Sequence, residues 1–192
     1  MINSKQTYKS YLKADKKALN TEEYSIIRKI IAPNYIWEFQ KTLRKVEYYN
    51  NCKLNSLLGK IICSFLKLKF RKQSLKLGFS IPINVFGPGL SIVHYGTIVI
   101  NSNTKVGANC RIHACTNIGA SGGKPEAPQI GDNVYIGPGA KIYGNIKIGN
   151  NVAISANTVV NKSFEEDGVL LAGNPAEKIK KIDIKRIIKH IK

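Results

Sequence analysis

The sequence predicts a mainly β chain, a parallel β-solenoid preceded by an α-helical region. Three observations carry this. From Ile100 an aliphatic side chain returns at every sixth position: Val106, Ile112, Ile118, then after a loop Ile130, Ile136, Ile142, Ile148, Ile154 and Val160. Small or polar turn-formers follow most of these positions, namely Gly107, Gly119, Gly131, Gly137, Gly149 and Ser155. Ahead of Gly78 the apolar residues fall at helical spacing instead. A period of six matches neither the 3.6 of a helix nor the 2 of a free strand. It fits a coil with flat faces one hexad long, each beat residue pointing inward and a turn-former at the corner. Three hexads close one triangular coil, so residues eighteen apart should stack, about 4.8 Å from rung to rung.

In chain order, residues 5–18 make a first helix. Asn20-Thr21-Glu22-Glu23 supplies the cap and acidic first turn of a second, which must end near Pro33. A third covers 35–50, with Ile36, Phe39, Gln40, Leu43 and Val46 on one face, and a fourth is the apolar and basic stretch from Leu57. Gly78 closes the helical region. The segment 79–89, with Pro82 and Gly87-Pro88-Gly89, is an extended, turn-rich lead-in to the coil. The expected organisation is a basic helical region over 1–78, the β-helix over 79–176, and a basic, helical tail over 177–192.

The net charge is +18, from 30 Lys and Arg against 12 Asp and Glu, and the excess lies at the two ends. Between Gln40 and Lys76 ten basic residues, Arg44 among them, face one acid, Glu47; the tail from Lys178 adds seven more. Such ends suit nucleic acid, an anionic membrane surface or a polyanionic substrate, or are simply solvated. The segment 57–72 mixes bulky apolar residues with lysines as an interfacial helix does, and is too short and charged to span a bilayer. Packing against neighbouring helices and peripheral contact with an anionic membrane are both open for it. Nucleic acid is not expected, because no binding motif accompanies the charge.

Four cysteines, Cys52, Cys63, Cys110 and Cys115, show no metal-type pairing, and Cys110 falls at an inward position of its hexad. With no signal peptide before Lys5, the thiols read as reduced and the chain as cytoplasmic. The histidines are His94, His113 and His190. Phosphate loops, CxxC pairs and HExxH are missing. His190 sits in the lysine-rich tail, as a solvated residue would. His94 lies twelve before Val106, nominally on the inward beat, where a polar group is costly unless paired or set in a distorted turn. His113 follows Ile112 and should point outward. The two are nineteen apart, one coil plus one residue, and so within about a rung of each other.

From Gly78 to Ile182 the chain resembles the serine acetyltransferase branch of the hexapeptide-repeat acyltransferases, most closely its members associated with polysaccharide O-acetylation. The resemblance rests on Gly87-Pro88-Gly89-Leu90-Ser91-Ile92-Val93-His94-Tyr95-Gly96, on Ile130-Gly131-Asp132-Asn133-Val134-Tyr135-Ile136-Gly137-Pro138-Gly139-Ala140-Lys141-Ile142, and on Leu171-Ala172-Gly173-Asn174-Pro175-Ala176. It implies a left-handed β-helix, a homotrimer with sites between subunits, and acetyl transfer from acetyl-CoA to a hydroxyl. It implies His94 as the general base, with His113 a weaker catalytic candidate. For coenzyme A it implies Ala120, Pro138 and Ala156 along the pantetheine arm, Asn161 and Lys162 at the nucleotide end, and Lys180 at a phosphate. No metal is expected: a zinc centre on such a coil would need three histidines, and His190 is remote.

Departures from the serine-specific pattern bear on the acceptor. Val93 stands where an aspartate precedes the catalytic histidine in serine acetyltransferases, and the loop 121–129 has neither the arginine nor the histidine that grip the amino acid. Residues 80–84 offer no carboxylate to orient His94. The expected reading is therefore a sugar or polysaccharide O-acetyltransferase acting on a saccharide or lipid-linked saccharide at the inner membrane face. The alternatives are L-serine acetylation, N-acetylation of an amino sugar, and a non-catalytic trimeric scaffold on an anionic surface.

Overall fold

The computed structural model describes residues 1–21 and 33–191. Helix α1 (Lys5–Ala18) opens on a capping box in which the Ser4 hydroxyl accepts from the Thr7 N–H and Thr7 Oγ1 accepts from the Ser4 N–H. Helices α2 (Tyr35–Cys52) and α3 (Leu57–Leu77) follow, and Gly78, at φ 77°, ends α3 in the left-handed region that favours glycine. The second helix expected from the sequence falls on 22–32, outside the described residues. Phe39 of α2 is fully buried between Phe70 of α3 and Phe79, with ring centroids 5.2 and 5.0 Å away, so α2 is the wedge between α3 and the coil.

The coil has three faces. The first stacks β1 (Phe79–Ser80), β3 (Ile98–Ile100), β6 (Thr116–Gly119), β9 (Lys141–Tyr143) and β12 (Val159–Val160). The second stacks β4 (Lys105–Val106), β7 (Gln129–Ile130) and β10 (Lys147–Ile148), with single bridges to Phe86 and Phe164 at its two ends. The third stacks β2 (Ser91–Ile92), β5 (Arg111–Ile112), β8 (Tyr135–Ile136), β11 (Ala153–Ile154), β13 (Val169–Ala172) and β14 (Glu177–Lys181). Every pairing is parallel except β13 with β14. Each beat residue from Ile100 to Val160 is buried, and like side chains sit above one another, as in Ile112 on Ile136 on Ile154. A column of isoleucines fills the coil because β-branched side chains keep one rotamer from rung to rung.

Stacking at eighteen residues holds where no insertion intervenes, as Ile100 on Ile118, Ile130 on Ile148 and Ile142 on Val160. Where the loop after Ile118 intervenes the offset is twenty-four, as Val106 on Ile130, and between Ile92 and Ile112 it is twenty. Loops add to the perimeter without disturbing the rungs. At the corner between the second and third faces Asn109, Asn133 and Asn151 adopt φ of 57°, 56° and 57°. Each lower amide donates to the next Oδ1 at 2.9 Å, a ladder that satisfies side chains in a left-handed corner asparagine tolerates. Beside it Gly87, Gly107, Gly131 and Gly149 form a column in which a Cβ on each of the first three would fall within 2.8 Å of the next glycine's carbonyl oxygen.

Arg44 of α2 is fully buried, not part of an exposed basic run. Its Nε donates to Asp15 Oδ2 at 2.8 Å and its Nη1 to Glu47 Oε2 at 3.0 Å. Nη2 also donates to Asp15 Oδ1 at 3.3 Å, and the last two guanidinium protons reach the Phe86 and Gly87 carbonyls at 2.9 and 2.6 Å. Asp15 in turn accepts from the Gly89 and Leu90 N–H groups, and Glu47 from Asn84 N–H. Burial disfavours the charged guanidinium, but the two carboxylates outweigh it and hold Arg44 protonated. Gln40 completes the clamp by donating to the Leu90 carbonyl at 2.8 Å.

The tail is not helical as expected. Residues Glu177–Lys181 pair antiparallel with β13 and lead into a short 3-10 turn, Ile184–Arg186. The open edge of β13 would otherwise present unpaired backbone groups, and satisfying them outweighs the weak helical preference of five residues. Ile184 and Ile188 are then buried against Ala153, on the outside of the third face.

Two outcomes are expected in denaturant titrations. Arg44→Ala leaves Asp15 and Glu47 buried without their cation and lowers unfolding free energy by about 3–5 kcal/mol. Asn133→Ala loses two ladder bonds and strains a left-handed corner, at about 2 kcal/mol, whereas Asn133→Gly keeps the corner and loses less. Equal losses in the alanine and glycine variants would show that the corner conformation does not matter.

Candidate active site

His94 is not on the inward beat. Ile92 and Ile100 hold the inward positions on either side of it, eight residues apart, so two extra residues bulge from the corner joining the third face to the first. The bulge is tied at both ends. Val93 N–H donates to the Ile112 carbonyl at 3.0 Å, and Gly96 N–H to the Leu77 carbonyl at the end of α3 at 2.9 Å. Gly96, at φ 128°, takes up the reversal. The His94 imidazole is exposed and makes no hydrogen bond among the described residues.

One rung above, His113 occupies the same corner, its ring centroid 5.9 Å from that of His94. Tyr135 packs edge-on against His113 at 5.2 Å, so three rings climb one edge of the coil. Burial lowers the His113 pKa, and the nearby Arg111 and His94 lower it further. Its Nε2 is buried with no partner among the described residues. His113 is therefore disposed to stay neutral beside His94.

Beyond His113 the corner becomes small. Ala114, Pro138 and Ala156 follow one another up the edge, joined by Gly139 N–H to the Ala114 carbonyl at 3.1 Å and Asn157 N–H to the Pro138 carbonyl at 2.9 Å. Of the residues expected to meet coenzyme A, Pro138 and Ala156 thus share an edge with the histidines. Ala120, Asn161 and Lys162 lie at the next corner, where the first face turns into the second. Lys180 sits elsewhere, on β14 opposite Leu170 over the third face, and within one chain is not brought to Asn161 and Lys162. Among the described residues no group of histidine, cysteine, aspartate and glutamate could hold a metal ion. Cys110 is fully buried, and burial pushes its thiol pKa up, so it serves packing and not nucleophilic attack.

Sequence reasoning missed Tyr135 and Arg111. They are twenty-four apart and in register, an offset legible only once the skipped beat between Ile118 and Ile130 is counted as a loop. His190, expected in solvent, is half-buried beside Lys17, Lys185 and the asparagine ladder, in a recess of about 450 Å³. Its pKa is lowered by burial and then by Lys17 and Arg111.

His113 and His190 both titrate lower in the folded chain than in the unfolded one. Their contribution to stability is full above the unfolded value of about 6.5 and is lost as pH falls through it toward the lowered folded values. The melting temperature should therefore decline on acidification from neutrality, and His113→Gln with His190→Gln should flatten that decline. An unchanged slope in the double variant would exclude both rings as its source.

A family model described as "Bacterial transferase hexapeptide (six repeats)" matches residues 127–162. The serine acetyltransferase of Staphylococcus aureus strain Mu50 is 45% identical over 80 residues, 40% of this chain and 37% of that protein. That of Mycobacterium tuberculosis strain H37Rv is 38% identical over 100 residues, 51% of this chain and 43% of that protein. The chain thus spans well under half the length of these curated relatives. A crystal structure of Brucella abortus serine acetyltransferase in complex with coenzyme A superposes with a TM-score of 0.72 at 26% identity, covering 93% of this chain and 70% of that one. Neisseria gonorrhoeae serine acetyltransferase, solved in complex with serine, superposes at 0.66 and 23% identity over 92% of this chain and 71% of that one, a likeness of fold. A special closeness to polysaccharide-acetylating members is not shown by these matches. Residues 127–162 thus resemble the hexapeptide-repeat transferases, and the stacked coil shares the left-handed β-helical fold of the serine acetyltransferase it superposes on.

Proposed function

We propose that this chain is an O-acetyltransferase that moves an acetyl group from acetyl-CoA to the hydroxyl of a small acceptor, L-serine being the first candidate. The observation that carries the reading is His94, free and exposed on a bulged corner at the foot of an edge of small residues. The relatives that share the coil sequence are serine acetyltransferases, and one of the superposed structures holds coenzyme A. His94 takes the proton from the acceptor hydroxyl as its oxygen attacks the thioester carbonyl, a role worth about 10²–10⁴-fold. When the tetrahedral intermediate collapses the C–S bond breaks, and the protonated His94 returns its proton to the leaving thiolate. A backbone N–H supplies the oxyanion partner. Ala114, Pro138 and Ala156 leave room for a pantetheine arm along the edge, and Lys162, exposed at the next corner, is a cation for its nucleotide end.

The reading includes a homotrimer. Tyr95 is 73% exposed beside His94, and a neighbouring copy laid along this edge would close the site and exclude water. In such an assembly Lys180 would approach the nucleotide end from a neighbouring copy.

A second acceptor, a saccharide hydroxyl, is favoured by one observation. Val93 precedes His94, and the loop 121–129 offers Lys124 and Glu126 as its only charged side chains, so a zwitterionic amino acid would find few fixed partners. Thiol release from acetyl-CoA with L-serine, run beside a panel of sugars, separates the two. Turnover on serine that falls about 10²–10⁴-fold in His94→Ala supports the first reading. His94-dependent turnover on a sugar alone assigns the saccharide, and release unaffected by His94→Ala removes this histidine from the mechanism. His113→Gln is expected to move the pH profile of kcat/KM more than its maximum.

A further inference from the structure

Helix α3 has two apolar faces, and only one is used. Gly59, Cys63 and Leu77 are buried, and Phe70 stacks on Phe39 at 5.2 Å, which fixes the rotation of the helix against α2 and the coil. The opposite face leaves Leu57, Leu58, Ile61, Phe65, Leu68 and Leu75 exposed, with Phe65 at 68% and Leu57 and Leu75 at 76%. At 100° per residue these six fall within a stripe about 100° wide that runs the length of the helix. Cations line both margins: Lys60, Lys67 and Arg71 on one side, Lys69 and Lys76 on the other, with Lys72 inside the stripe. None of the 21 residues is acidic. Lys76 is steadied over the exposed ring of Tyr35, 4.5 Å from its centroid.

We infer that this face of α3 docks flat on an anionic lipid surface. The charge arrangement selects the occupant. Large apolar side chains sink a few ångströms into the headgroup region, while lysine and arginine at the margins reach up to lipid phosphates, their stems following the apolar surface. A nucleic acid would meet the cations but leave six large side chains against water. Among the described residues no helix is apolar enough to cross a membrane, so the contact is peripheral. The His94 corner is tied to the C-terminal end of this helix through the Leu77 carbonyl, so docking would hold the site close to the membrane surface. The inference stands independently of which acceptor is used.

The test is flotation of the full chain with vesicles of phosphatidylcholine alone or mixed with phosphatidylglycerol. Binding is expected only to the mixed vesicles and should fall about tenfold or more when salt is raised. Phe65→Ser with Leu68→Ser, and separately Lys67→Glu with Arg71→Glu, should each abolish it while leaving thiol release unchanged, because none of the four touches the core or the candidate active site. Binding indifferent to lipid charge, or retained in both variants, would overturn the inference. So would a chain that ignores vesicles and whose assembly, by size exclusion, shrinks in the Phe65→Ser/Leu68→Ser variant, a result that would assign the stripe to contact between copies.

Discussion

The fold turns on one buried cation. Arg44 reaches from α2 to two carboxylates on different helical segments and to two carbonyls of the coil lead-in, with no solvent contact. A lone charge so placed would be untenable, and the site is stable because all its protons and both carboxylates are satisfied at once. The consequence reaches beyond the helices. Asp15 and Gln40 hold the backbone at Gly89, Leu90 and Ile92, the residues that set the first rung of the third face. The bulge carrying His94 leaves directly from that rung, so the clamp sets where the candidate base stands.

Above the clamp the coil is a repeat, and repeats by themselves do no chemistry. Stacked isoleucines and the asparagine ladder account for stability one rung at a time. Function is read from the interruptions. Two extra residues push His94 out of the wall, and six extra residues between Ile118 and Ile130 make the loop on the far side of the first face. Above His94 the same edge is kept small by alanine and proline. Regular rungs thus act as a rigid frame, and irregular corners present the reactive groups on it.

Some of the sequence expectations were corrected for identifiable reasons. Arg44 was counted with a basic surface because composition does not distinguish a solvated arginine from one facing Asp15 twenty-nine residues away. The tail was read as a helix because its lysines and isoleucines suit one, and nothing local announces that β13 lacks a partner. The stripe on α3 shows weakly in the sequence, since apolar residues on both faces blur the helical period that would separate inside from outside. The rotation became visible only when Phe70 met Phe39.

By itself the sequence determined the coil, its aliphatic inward residues, the glycines at its corners, the helical character of the first region, and the pairing of His94 with His113 about one rung apart. These follow from local rules: a six-residue beat leaves one arrangement that buries every aliphatic side chain, and the rung spacing converts sequence distance into height. The tertiary structure alone decided which arginine is buried, which face of α3 is left bare, where the tail goes, and that His94 stands outside the wall instead of in it. Each of these depends on a partner far away in the chain, and contact between distant segments has no period for a sequence to display.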